Sequence, residues 1–193
     1  MGANEFAKLP HIGESLKRKE DERFLTGVGQ YTDDITQAKQ KYAVFVRSPH
    51  AHAAIKSVDT AAASAMPGVV RVFTGKDVEG KMGGLPCGWL ISNPDGSPMK
   101  EPPHPILAHA KVRYVGDHVA MVVADTLQQA KDAAEQVEVD YEVLDAVIDM
   151  RTARNGPALH DEAPDNHCYK WTLGDKAAVD AAFAGAAHVT KLD

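Results

Sequence analysis

The chain has 193 residues, 44% hydrophobic and 25% charged, which suits one compact domain with a core and excludes disordered and fibrous classes. A net charge of −6 gives no pull toward nucleic acid or an anionic membrane, and the densest basic cluster, Lys17-Arg18-Lys19, runs at once into Glu20 and Asp21. Two cysteines, Cys87 and Cys168, lie outside any Cys-x-x-Cys pair, which argues against a structural zinc site or redox dithiol and leaves a single disulfide open.

Residues 1–22 are polar and unpatterned and read as an extended arm. They show no apolar core before a cleavage site, and no apolar run along the chain is long enough to span a bilayer, so the expected location is cytoplasmic. Gly27, Gly29 and Asp33-Asp34 mark a turn. Strands are predicted at Ala43–Arg47 and Ala54–Val58. Asp59 or Thr60 then caps a short helix over Thr60–Met66, with Ala62, Ala65 and Met66 on one face. Pro67 and Gly68 end it. Val69–Phe73 follows as a buried strand.

Residues 79–105 hold five glycines and six prolines and show no periodicity. A loop of this length inside a domain is usually functional or an interaction surface. Regular structure resumes at Lys111–Tyr114. The unbroken apolar run Val119–Ala124 suits a strand covered on both faces. Thr126 and Gln129 form a capping box for a helix that places Leu127, Ala130, Ala134 and Val137 on one face. Val139, Tyr141 and Val143 then alternate with Glu138, Asp140 and Glu142, the pattern of a half-buried strand. Strand, helix and strand in this order suggest a crossover packed on one sheet. Asp175 caps a last helix with Val179, Ala182, Phe183 and Ala186 on one face and Gly185 near its end. A strand-like alternation begins at His188 and runs to Asp193. The fold class is α+β.

Four constellations bear on chemistry. His50 and His52, two apart, have the spacing at which strand side chains share a side and two imidazoles share a metal. No third ligand is evident nearby, and Ser48-Pro49 suggests a bend, so the expected role is hydrogen bonding in a polar turn. Glu138, Asp140 and Glu142 offer three carboxylates on one face, which reads as a solvated surface. Gly27-Val-Gly29 lacks the third glycine, strand and helix of a dinucleotide site. Its glycines are expected to serve backbone geometry with positive φ. Cys87 lies in the long loop with no histidine within ten residues to activate it. Neighbouring Trp89 reads as an exposed interface anchor. None of these amounts to an active site.

Several segments in series resemble a known family. They are Ile12-Gly-Glu-Ser-Leu-Lys-Arg-Lys-Glu-Asp21, Arg23-Phe-Leu-Thr-Gly-Val-Gly-Gln-Tyr-Thr-Asp-Asp34, Arg47-Ser-Pro-His-Ala-His-Ala53, Ser57-Val-Asp-Thr60, Met66-Pro-Gly-Val-Val70 and Phe73-Thr-Gly75. Lys111-Val-Arg-Tyr-Val-Gly-Asp117, Val137-Glu-Val-Asp-Tyr-Glu142, Asn166-His167 and Gly174-Asp-Lys176 continue the series. Their order and spacing resemble the large, molybdenum-cofactor subunits of the xanthine dehydrogenase, aldehyde oxidase and carbon monoxide dehydrogenase family. Gly174-Asp-Lys176 and Lys191-Leu-Asp193 resemble most the carbon monoxide dehydrogenase-like branch.

The resemblance implies an N-terminal arm over 1–19, an α/β-hammerhead domain over 20–150, and a linker, helix and the start of a molybdopterin-binding domain over 151–193. It implies a molybdopterin cofactor, commonly the cytosine dinucleotide, in the complete subunit. It also implies partners carrying 2Fe-2S and FAD, and hydroxylation or oxidation of carbon monoxide, an aldehyde or an N-heterocycle with water as oxygen donor. The family's cofactor-contacting and catalytic segments lie C-terminal to the hammerhead. No catalytic, cofactor-binding or metal residue is therefore carried over to this chain, which is expected to be inactive alone. The alternative is a stand-alone assembly or binding module.

Overall fold

The computed structural model describes residues 13–192. The chain divides into two compact units, 1–40 and 41–193.

In the first unit, helix α1 (Asp21–Leu25) is a single turn. Gly27 ends it with φ +75°, and Val28 N and Gly29 N both donate to Arg23 O, at 3.0 and 3.1 Å. Only Gly27 of the predicted pair takes a positive φ. Gly29 is needed for another reason: a Cβ there would lie 2.5 Å from the Phe24 ring. That ring stacks on Tyr31, and Tyr31 N donates to Asp34 Oδ2 at 2.8 Å to start a 3-10 turn over Thr32–Asp34. No residue of 13–40 is buried.

The second unit holds two three-stranded antiparallel sheets. β1 (Tyr42–Arg47), β3 (Val69–Thr74) and β5 (His118–Ala124) form one, in the order β1-β5-β3. β2 (Ala53–Asp59), β4 (Lys111–Val112) and β6 (Glu138–Val143) form the other, in the order β4-β2-β6. The run Val119–Ala124 is central, paired on both edges, with Val119, Ala120, Val122 and Ala124 fully buried. Helix α4 (Leu127–Ala134) follows it and packs over the first sheet. The expected crossover within one sheet is corrected here: β5 and β6 belong to different sheets, so α4 carries the chain from one to the other.

Two apolar clusters result. Ala63, Val72, Ala120, Val122, Ala133 and Val137 form one, and Ala53, Ala108, Val112 and Val119 the other. Val58 and Val139 pack against both, which joins the two sheets into one core. The buried side chains are small, each valine contributing about 1.5–3 kcal/mol on burial.

Local signals mostly hold. Thr126 Oγ1 accepts from Gln129 N at 3.2 Å while Gln129 Oε1 accepts from Thr126 N at 3.1 Å, the predicted capping box. Asp175 caps helix α5 (Lys176–Ala184) by accepting from Ala177 N and Ala178 N. Three readings need correction. The helix expected over Thr60–Met66 is one turn, α2 (Ala61–Ser64), capped by Asp59, and it buries Ala63 with Met66 rather than Ala62 and Ala65. Its face is set by where β2 and β3 attach, because one turn is too short for periodicity to decide. β3 is an edge strand, not a buried one, and Val70 is 56% exposed. From His188 to Leu192 there is no strand, and no ladder partner for it exists among the described residues; Asp193 lies outside them.

One further turn, α3 (Gly75–Val78), has a cap signal in the sequence: Asp77 Oδ2 accepts from Thr74 N and Thr74 Oγ1, both at 2.8 Å. Those bonds, with Arg71 and Lys81 nearby, hold the Asp77 carboxyl below the usual carboxylate range.

Candidate functional site

The long loop and the chain beyond β6 meet. Asn93 N donates to Ser97 O at 2.8 Å, and Asp95 Oδ1 accepts from Ser97 N and Oγ, closing a tight turn with Gly96 at φ +83°. The outer residues of that turn bind residues 165–170. Lys170 N donates to Asn93 Oδ1 at 2.7 Å, Lys100 N to Cys168 O at 2.9 Å, and Lys100 Nζ to Asp165 Oδ1 at 2.7 Å. The lysine holds the Asp165 carboxyl below its usual range. Leu85 N donates to His104 O, and a Cβ on Gly84 would lie 2.4 Å from that same oxygen, so only glycine permits the approach.

Residues 157–168 are organised by Asn166, which sits at φ +51°. Its Nδ2 donates to Ala153 O and Pro157 O, and its Oδ1 accepts from Leu159 N, all at 2.8–2.9 Å. Arg113, beside β4, reaches Leu159 O through Nε at 3.1 Å while its backbone N donates to Asp117 Oδ2 at 3.0 Å. His104 Nε2 lies 3.3 Å from the Tyr114 hydroxyl.

Several cavities open along this seam. One of about 580 Å³ is lined by Leu85, Cys87, Met99, Lys100, Cys168 and Tyr169, among others. The next, about 400 Å³, is lined by Pro103, His104, Arg113, Tyr114, His160 and Cys168, among others. Burial pushes the Tyr114 hydroxyl up, helped by the Asp117 charge. The two cysteines line one cavity and are free thiols. Cys87 Sγ donates to Trp89 O at 3.1 Å. His104, seventeen positions away in the chain, lines the same cavity as Cys87, a juxtaposition invisible in sequence spacing. Trp89 is 74% exposed, with Leu85 and Leu90 exposed around it.

The other constellations lie elsewhere. His52 precedes β2 and is buried, its Nδ1 2.8 Å from Asp145 O. That contact requires Nδ1–H and leaves Nε2 sealed without a partner. His50 packs edge-on against Tyr141, and its backbone N donates to Ser48 Oγ. The two imidazoles are thus engaged separately. Glu138, Asp140 and Glu142 face solvent on β6, and Glu142 pairs with Lys56 on the neighbouring strand.

Among the described residues, no group of three or more His, Cys, Asp or Glu is placed to hold a metal. A diphosphate would need open backbone N–H donors. The space beside Gly29 is filled by Phe24, and Asp59, Asp77, Gln129 with Thr126, and Asp175 already close the N-termini of α2 to α5.

Residues 26–145 match the family model described as aldehyde oxidase and xanthine dehydrogenase, a/b hammerhead domain. The chain belongs to this family. It is similar to the nicotine 6-hydroxylase large subunit of Paenarthrobacter nicotinovorans, 41% identical over 92% of this chain and 21% of that protein. It is also 37% identical to the carbon monoxide dehydrogenase large chain of Afipia carboxidovorans, over 95% of this chain and 23% of the relative. Among solved structures, reconstituted CO dehydrogenase from Oligotropha carboxidovorans matches with a TM-score of 0.70 and 35% identity, over 96% of this chain and 24% of that one. The chain therefore spans about a fifth of the length of the curated relatives it matches. The hammerhead match takes in all six strands and the loop 79–105, while residues 151–192 lie beyond it.

Proposed function

We propose that this chain is the N-terminal structural domain of the large subunit of a molybdenum-dependent hydroxylase or dehydrogenase, and that the chemistry lies outside it. The observation that carries this reading is the hammerhead match over 26–145 in a chain whose relatives are several times longer and are named as large subunits of oxidoreductases. In the complete enzyme the molybdopterin, as the cytosine dinucleotide, would supply the redox centre. Water would supply the oxygen, and electrons would leave through 2Fe-2S and FAD partners. The substrate class is a small one, carbon monoxide, an aldehyde or an N-heterocycle. No residue of this chain acts as catalyst, cofactor ligand or metal ligand, and the chain works in the cytoplasm. What it contributes is a rigid two-sheet scaffold, with the Trp89 loop and the exposed face of α5 as docking surfaces. Val179 and Phe183 are 51% and 59% exposed on that helix.

Elemental analysis of the isolated chain tests this directly. Only trace molybdenum is expected; a stoichiometric amount would overturn the reading. The alternative, a stand-alone binding module, predicts no association with any other subunit.

A further inference from the structure

His160 lines the cavity of about 400 Å³, and Arg113, another lining residue, donates to the carbonyl of Leu159 beside it. The ring Nδ1 of His160 is buried and has no hydrogen-bond partner. The Arg113 cation lies against the same stretch, bonded to the carbonyl of the preceding residue, and Arg113 and His104 line the cavity with His160. A neutral imidazole tolerates this setting. A protonated one gains a second N–H with no acceptor and a positive charge facing a guanidinium.

We propose that residues 157–163 form an acid-sensitive flap over this cavity, latched while His160 is neutral and released when it is protonated. The groups facing the ring settle the direction. Arg113 from the turn after β4 and His104 from the long loop oppose its charge, while Glu162 and Asp161, on its own segment, favour it. Tyr114, Asp117 and Cys168 complete the titratable groups of the cavity wall. Burial, then Arg113, outweighs the two carboxylates, and the ring is held below the ordinary histidine range.

The sign follows. A histidine whose folded pKa lies below its free value of about 6.5 contributes latch stability in full above that value. The contribution is lost as the pH falls below it toward the folded pKa. The far end of the segment does not share this response. Asp165 stays ionised to below the ordinary carboxylate range, so its bond to Lys100 survives mild acid. Release therefore breaks the Arg113 contact and the Leu159 N to Asn166 Oδ1 bond, while the Lys100–Asp165 end stays fastened.

Hydrogen exchange on the purified protein, corrected for intrinsic rates, tests this. Between about pH 7.5 and about pH 5, on either side of the free histidine value, the amides of Leu159 and Ala163 should lose protection. Those of Lys100, Lys170 and β5 should keep it. His160→Gln should abolish the pH dependence. The double variant Asp161→Asn/Glu162→Gln should shift release to lower pH, and it decides the matter should His160→Gln not fold. Protection of Leu159 and Ala163 unchanged at about pH 5, an equal loss in His160→Gln, or release unmoved in the double variant would overturn the proposal.

Discussion

The two-sheet core and the seam between the long loop and residues 151–170 are held together by different physics. The core is built from valines and alanines that are almost fully buried, and its contacts are apolar. The seam has few buried apolar residues, Leu107 and Ala163 among them, and is fastened by backbone bonds, the side chains of Asn93 and Asn166, and the Lys100–Asp165 pair. The core therefore gains most of the non-directional free energy of dehydration. A family scaffold can keep such a core while its seam changes charge and shape, and regions that open locally are drawn from segments held as the seam is.

That contrast can be broken first in the core. Val122→Ala removes two buried methyl groups at the centre of β5 and should cost about 2–3 kcal/mol, roughly 4–10 °C in melting temperature. A loss below about 1 kcal/mol would mean that the core collapses around the gap and is less rigid than its burial implies. Thr126→Ala, which deletes the α4 cap, should cost about 1 kcal/mol by denaturant titration. Lys100→Ala in the seam should change global stability by less than about 1 kcal/mol, because the pair is about 40% exposed on both sides. Exchange of the Lys170 and Lys100 amides should nevertheless quicken in that variant. A global loss equal to that of Val122→Ala would erase the distinction between the two regions.

How much of this the sequence displays follows the range of the interaction. Val119–Ala124, the Thr126/Gln129 box and the Asp175 cap are legible because each is decided within a few residues. The loop 79–105 is legible from its glycines and prolines. The assignment of β5 and β6 to different sheets is not, since period two says which face is buried and nothing of the partner. The gathering of His104, Arg113 and His160 is equally hidden: they come from three segments, and Asn166 at a positive φ brings the last of them in. The Thr74/Asp77 cap was there to be read and marks α3.

The smallest effect expected is a slope with pH. His118 stacks on Phe45 at 4.4 Å with its Nε2 buried and unpartnered, and burial, then Arg47, holds it below the ordinary histidine range. Its contribution is complete above about pH 6.5 and is lost as the pH falls toward its folded value. Urea midpoints should decline over that interval in the wild type and decline less in His118→Phe. An equal slope in both would assign the acid response to other groups.

On the proposed function, this domain serves its enzyme structurally and not chemically. The most direct test of that claim is co-expression with the remainder of a large subunit and with the iron–sulfur and flavin subunits proposed as its partners, followed by size exclusion and thermal melting. The domain is expected to elute in a shared complex with a raised melting temperature. Binding to the folded state alone adds RT ln(1 + [L]/Kd), roughly 3 kcal/mol at a hundredfold excess over Kd. A monodisperse monomer that melts at the same temperature with or without those partners would contradict the claim.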